Sequence, residues 1–416
     1  MLFYSTRRSW FFWLWVALMV ACAAPPTPVP VATPIPIPTV GVTVLPLNTP
    51  APSATLTATP IPIHTAPPTA TATPAAINPL TGLAVAEANV LNRRPLAIKV
   101  AHFPRSVREH QVGLSLADNV WEHYAEGGVI RFTGIFLSQS PEKVGNVRSA
   151  RLIDAQLGEA YRAMLVASGS STGTMNRLRE HAELFKRVIA EATGYGGCPV
   201  LCREESASVT TNKLFTSPAA LWQLADDLKL NGPQDLSGFE FDPTPPAGGT
   251  PITTVHIDFQ LNNTISEYRY DPATGLYARW VDTNALPELA PHVDTLTDQQ
   301  LTTANIVVVY VTHVTSNIRE AEGGARYFSY DVLLTGEGQA KLFRDGQMVE
   351  LTWEREDEYA GLPRFRDANG NVIQFKPGNL WFDVVTPNSP TRVEGETFFV
   401  RFKGPDPFPL TATATP

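Results

Sequence analysis

From Ala23 to Ile77 the chain runs through proline, threonine, alanine, valine and isoleucine without one Asp, Glu, Lys or Arg, and this stretch limits the fold more than any other. A segment with so many prolines and no charge contrast cannot divide itself into a buried and a solvated face. Its texture, as in Thr33-Pro34-Ile35-Pro36-Ile37-Pro38-Thr39, favours extended polyproline II at about 3.1 Å per residue. Residues 23–77 are therefore expected to form a disordered stalk able to reach across a cell-wall layer, and the threonines beside proline permit O-glycosylation. Residues 405–416 repeat the texture and are expected to be a disordered tail. Folding falls to residues 78–404, which hold nearly all the charged and aromatic side chains and are long enough for two cores.

The other end of the stalk carries an address. Arg7 and Arg8 precede an uncharged apolar run from Trp10 to Val20, too short to span a bilayer comfortably. The run closes on Met19-Val20-Ala21-Cys22, which resembles the lipobox of bacterial lipoproteins, with Met where Leu is commoner. Residues 1–22 are thus read as a lipoprotein signal peptide and Cys22 as the lipidation site, its acyl chains holding the protein to the cell membrane at about 0.8 kcal/mol per buried methylene. This places the chain on the extracytoplasmic face as a lipid-anchored protein. A net charge of -8 gives nucleic acid no support as a partner, because phosphate binding needs a concentrated basic surface. Of the three cysteines, Cys198 and Cys202 lie close together, and an oxidising exterior favours a disulfide over free thiols, with a metal site third for want of further ligands.

Within residues 78–242 strand and helix signals alternate, which favours a layered α/β domain. Strands are expected at Pro95 to Ala101, Val129 to Leu137, Lys143 to Val147 and Met164 to Ala167. Helices are expected from Ser115, with Leu116, Val120 and Tyr124 on one face and Gly127-Gly128 as the stop, and from Ala150 to Tyr161, Met175 to Phe185, and Ser217-Pro218 to Leu228. After a Pro/Gly-rich joint the pattern turns to period two. Residues 250–404 carry strand runs such as Thr253 to Phe259, Ile265 to Tyr270, Leu276 to Val281, Asn305 to Thr312 and Leu380 to Val385, joined by turns such as Asp345-Gly346 and Asn369-Gly370. The class is α+β, an α/β domain followed by an antiparallel β-rich domain.

Several local patterns coincide. Asn78-Pro79-Leu80-Thr81-Gly82, Arg94-Pro95-Leu96-Ala97, Gly113 to Asp118, Glu122 with Glu126-Gly127-Gly128, Arg131-Phe132 and Val147-Arg148-Ser149-Ala150-Arg151 together resemble the first domain of the YerB-like lipoproteins. Tyr270 to Tyr277, Pro291-His292-Val293-Asp294, Ala304 to Val308 and Trp353 resemble that family's second domain. The resemblance runs from Asn78 to Phe402 and implies a two-domain bacterial surface lipoprotein; it implies no activity and no cofactor. Where the family shows a histidine before the last helix of the first domain this chain has Asn212, so nothing resting on that histidine carries over.

Four constellations could carry chemistry. Arg148-Ser149-x-Arg151 lies where a strand gives way to a helix, so helix amides and two guanidinium forks, with Arg131 nearby, could hold a phosphate or carboxylate. The same arginines could instead pair with Glu122 and Glu126, four apart on one helix face. Those carboxylates could serve as acid and base if their environments separate their pKa values, or form a structural ion-pair cluster. Gly169-Ser170-Ser171-Thr172-Gly173 fits the nucleophile-elbow pattern, with His256 or His292 as base, but no oxyanion motif accompanies it. His292-Val293-Asp294 sets an imidazole and a carboxylate on one side of a strand, which suits a general base or two metal ligands, or is simply a hydrogen-bonded loop. The aromatic stripe Tyr268, Tyr270, Tyr277 and Trp280 could stack a carbohydrate or only stabilise a hairpin.

The reading these patterns favour is a membrane-anchored binding or accessory lipoprotein for an anionic cell-envelope ligand, with a cell-wall polymer or an envelope protein as partner. The alternative is a cell-envelope hydrolase or transferase using Glu122, Glu126, His292 and Asp294. The sequence leaves open whether any reaction is catalysed.

Overall fold

A computed structural model of the chain describes residues 76–204, 213–259, 264–285, 287–322, 325–359 and 361–404. Cys22, residues 23–75 of the stalk, Asn212 and the tail lie outside these residues, while Ile77, expected to end the stalk, forms an isolated antiparallel bridge with Ala84. The described chain has a mixed α/β N-terminal part and a β-rich C-terminal part.

Both parts build one large sheet of eleven strands. From one edge it runs Thr250–Pro251, Gln347–Arg355, Gly336–Arg344, Asn305–Tyr310, Leu380–Val385, Asn119–Tyr124, Ile130–Phe136, Leu96–Ala101, Met164–Val166 and Val188–Ile189, with Arg364–Arg366 joined onto Gln347–Arg355. The two parts meet where Asn119–Tyr124 pairs in parallel with Leu380–Val385. The C-terminal pairing is mostly antiparallel, but Asn305–Tyr310 also runs parallel to Leu380–Val385.

Asn119–Tyr124 corrects the expectation of a helix opening at Ser115. It is a strand with every residue buried, hydrogen-bonded to neighbours on both sides. The spacing of four between Val120 and Tyr124 satisfies a helix, but it is also a multiple of two and so keeps both on one strand face. A central strand covered on both faces shows no polar alternation to reveal itself.

One face of the large sheet packs through Leu96, Ile98, Val120, Phe132 and Trp381 against a second, seven-stranded sheet. That sheet is ordered Leu289–Pro291, Leu276–Asp282, Ile265–Asp271, Thr254–Asp258, Thr397–Arg401 and Thr391–Glu394, with Thr302–Thr303 joined onto Leu276–Asp282. The opposite face of the large sheet carries Trp121, Ile135 and Phe382 and is covered by helices α1 (Ile153–Ala160), α2 (Thr172–Glu180) and α3 (Ala182–Phe185). The helix expected through Phe185 breaks at His181, whose φ and ψ leave the helical region. Helix α4 (Pro218–Asp227) buries Leu221, Trp222 and Ala225 in the core between the sheets, with Pro218 at its first position.

A two-stranded hairpin, His313–Glu322 with Ala325–Val332, stands apart from both sheets and lies over the helix side. It approaches α2 so closely that a Cβ on Gly173 would come within 2.5 Å of Ile318. Gln156 of α1 donates to the Val332 carbonyl at 2.7 Å, and Arg177 of α2 pairs with Asp331.

Candidate functional site

Successive residues of a strand face opposite ways, and Glu122 and His123 accordingly enter two separate buried polar clusters. On the helix side Lys99, His123, Arg131 and Thr133 share a face, because Lys99 is in register with Thr133 and His123 with Arg131. The Lys99 ammonium bonds Asp154 at 2.9 Å, Thr133 at 3.1 Å and the His123 ring, all fully buried. Burial pulls Lys99 down to about 8 against the attraction of Asp154, and burial together with the Lys99 charge takes His123 to about 3. Burial alone would raise the Asp154 carboxyl, but Lys99 and the Arg151 amide outweigh it and hold it below its usual range.

Arg151, at the approach to α1, forms a two-pronged ion pair with Glu126 and donates to the Ala150 carbonyl, while its amide bonds Asp154. Arg131 is buried and donates to the Ile130 and Phe103 carbonyls. Arg148 and Ser149 are half-buried beside the Gly/Ser turn. The Ser168 amide donates to the Arg148 carbonyl at 3.0 Å, the Ala150 amide to Gly169, and the Ser149 and Ser168 hydroxyls lie 3.4 Å apart. That turn leads directly into α2, whose N-cap is Ser171.

The start of α2 holds a carboxylate. Glu320, on the hairpin and buried, accepts from the Ser171 hydroxyl at 2.8 Å and the Thr174 hydroxyl at 2.6 Å. This corrects the nucleophile-elbow reading. Ser171 is a helix cap with unstrained dihedrals, accepting from the Thr174 amide, whereas His256 lies on Glu267 at the far side of the second sheet and His292 lies between the sheets. A Gly/Ser turn satisfies the elbow pattern and the cap alike, and only the position of the histidines separates them.

Between the sheets Glu122 meets Arg279 at 3.0 Å, accepts from Ser266 at 2.7 Å and stands in register beside Asp383. Arg279 also donates to the Tyr268 hydroxyl at 2.8 Å and to His292 Nδ1 at 3.0 Å, which leaves the His292 proton on Nε2 to bond Gln111 at 2.6 Å. Burial and the neighbouring Glu122 charge raise the Asp383 carboxyl well above its ordinary value. Burial and the charges of Arg279 and Arg108 keep His292 neutral.

Glu122 and Glu126 therefore do not share a helix face; one serves each side of the sheet, and each carries its own arginine. His292 and Asp294 also part. Asp294 accepts from the Gly113 and Ser115 amides at 2.9 and 2.8 Å and from the Ser115 hydroxyl, and so ties the second part to the first. The aromatic stripe divides as well: Tyr268 and Tyr277 are buried in the core, while Trp280 pairs with Glu267 on the outer face. Positions 277 and 280 have opposite parity in one strand, so the sequence already contained that division. Cys198 and Cys202 are joined by a disulfide.

The residues not anticipated, Lys99, Arg279 and Asp383, share one visible signal. Each is a charge at the centre of a strand whose neighbours are apolar, as in Leu96-Ala97-Ile98-Lys99-Val100-Ala101 and Leu380-Trp381-Phe382-Asp383-Val384-Val385. A charge in such a setting must find a buried partner. Glu320 had no such mark, because its strand is rich in polar residues, as in Thr315-Ser316-Asn317 and Arg319-Glu320, like any exposed hairpin.

Residues 80–231 match the N-terminal domain, and residues 255–382 the C-terminal domain, of one family described as a protein of unknown function (DUF3048). The Bacillus subtilis (strain 168) protein named "Putative lipoprotein YerB" is 29% identical over 309 residues, covering 74% of this chain and 85% of the relative. The crystal structure of the YerB protein from Bacillus subtilis superposes with a TM-score of 0.61 at 27% identity, over 74% of this chain and 96% of the other.

Proposed function

The chain belongs to the YerB-like lipoprotein family, and from that premise we propose that it is a non-catalytic binding protein, held on the extracytoplasmic face by acylated Cys22, for an anionic ligand of the cell envelope. The ligand would lie where Arg148, Ser149 and the Gly/Ser turn meet the start of α2, with Arg131 and Arg151 supplying positive charge from beneath. A phosphate-bearing or carboxylate-bearing wall polymer has the matching chemistry.

The observation that carries this reading is the Glu320 carboxylate, seated on the Ser171 and Thr174 hydroxyls at the positive end of α2. The chain's own anion occupies the place where a ligand's would go, next to the Arg148–Ser149 loop. The hydrolase alternative has less support, since Glu122 and Glu126 face opposite sides of the sheet and His292 is neutral and spoken for by Arg279 and Gln111.

The test uses the full acylated chain in detergent micelles, titrated calorimetrically with poly(glycerol phosphate). Arg148→Glu should weaken binding at least tenfold, and Glu320→Gln, which removes the internal competitor's charge, should strengthen it. Unchanged affinity in a folded Arg148→Glu protein would sink the proposal.

A further inference from the structure

The seven-stranded sheet turns Val255, Tyr268, Tyr277, Arg279 and Val400 into the core, so the residues between them face outward. Register makes a straight row of four of these. Trp280 pairs with Glu267, Glu267 with His256, and His256 with Phe399. The four strands are adjacent, and at about 4.8 Å between strands the row is about 14 Å long, the length of a short oligosaccharide.

The row is organised at its centre. Glu267 accepts from His256 Nδ1 at 2.7 Å and from Arg269 Nε at 2.7 Å and Nη2 at 2.6 Å, with 12% of its own side chain exposed. The Arg269 guanidinium lies 4.1 Å from the centre of the Trp280 ring, and Arg392, held by Glu394, lies 4.0 Å from that of Phe399. Each end of the row thus presents a stack of flat groups, and the middle presents a carboxylate, an imidazole and a guanidinium in fixed relation. Exposed ion pairs contribute little stability by themselves, and they do not account for an indole and a phenyl ring placed on the solvent side of an open sheet.

The chemistry that matches is a sugar. A pyranose ring has a face of C–H bonds that lies against an aromatic or guanidinium plane, and a rim of hydroxyls that both donate and accept. Glu267 would accept from the rim, while Arg269 and His256, whose Nε2 makes no hydrogen bond among the described residues, would donate to it. A polyanion finds no surplus positive charge here, because Arg269, Arg392 and Arg401 are each paired with a carboxylate of the same face, Glu267, Glu394 and Asp258, and an apolar peptide would strip water from those carboxylates without replacing it.

We propose that this outer face is a second binding site, for a neutral β-linked glycan laid across the strands from Trp280 to Phe399. It is separate from the anion site and does not rest on it. The full chain in detergent micelles is titrated calorimetrically with chitotetraose, a neutral β-linked tetramer of N-acetylglucosamine, and with cellotetraose. Wild type should bind at least one of them, Trp280→Ala and Glu267→Gln should each weaken that binding at least tenfold, and Arg148→Glu should leave it unchanged. If Trp280→Ala loses secondary structure, Trp280→Phe takes its place and must keep most of the affinity while Glu267→Gln does not. Absence of binding by wild type at millimolar oligosaccharide, or wild-type affinity in folded Trp280→Ala, overturns the proposal.

Discussion

Glu122 and Asp383 stand side by side on parallel strands contributed by opposite halves of the chain, and a single arginine, Arg279 of the other sheet, faces them both. One cation cannot balance two buried carboxylates, and burial with the Glu122 charge raises the Asp383 carboxyl well above its ordinary value, which favours its neutral form.

Asp383→Asn should therefore cost little, since it replaces a neutral acid by a neutral amide. Arg279→Met, which leaves Glu122 charged and buried, should destabilise by about 3–5 kcal/mol, as read by urea unfolding. Because the folded-state pKa of Asp383 lies above its unfolded value, the folded chain binds the extra proton, and stability falls as pH rises above the ordinary carboxyl value. Asp383→Asn should remove that part of the decline.

Lys99 gives the opposite slope. Its folded pKa of about 8 lies below the unfolded value, so between these values the unfolded chain holds more protons and stability rises with pH. The gain is at most about 1.4 kcal/mol per pH unit, and Lys99→Met should abolish it in denaturation curves taken from pH 8 to 10. At neutral pH the same variant should be destabilised by roughly 3 kcal/mol, because Asp154 loses its counter-charge. Replacing Asp154 by Leu in the same protein should recover most of the loss.

The hairpin should loosen without global unfolding when its anchor is cut. Glu320→Gln weakens a charge-assisted pair of hydrogen bonds, and Gly173→Ala pushes a methyl group against Ile318. Either should raise amide exchange across His313–Glu322 by the equivalent of about 1–3 kcal/mol while the central strand Asn119–Tyr124 stays protected. Equal loss of protection in both segments would mean that the hairpin is part of the global fold.

Cys198 and Cys202 close a loop with a sequence separation of only four. Constraining so short a loop stabilises by about 2 kcal/mol at most, so Cys198→Ser/Cys202→Ser should lower Tm modestly and leave the two sheets intact, as judged by circular dichroism.

The proposed lipid anchor is Cys22. Cys22→Ser should abolish incorporation of labelled palmitate in a bacterial host and shift the protein out of the membrane fraction; retention of the label would move the lipid to another residue.

By sequence alone, residues 23–75 carry no charged side chain and so offer no amphipathic face to bury. The sequence also determined most strands and helices, and within the strand expected at Leu276 to Val281 parity alone separated Tyr277 from Trp280. It did not determine partners. Glu122 finds Arg279 across 157 residues, and Ser171 finds Glu320 across 149. Period and propensity act over one turn of helix or one step of strand, whereas a buried charge takes whichever opposite charge the packing of distant elements brings within reach. The same limit explains Asn119–Tyr124: a spacing of four fits helix and strand equally, and the choice fell to Leu380–Val385, a strand from the other end of the chain that needed a neighbour.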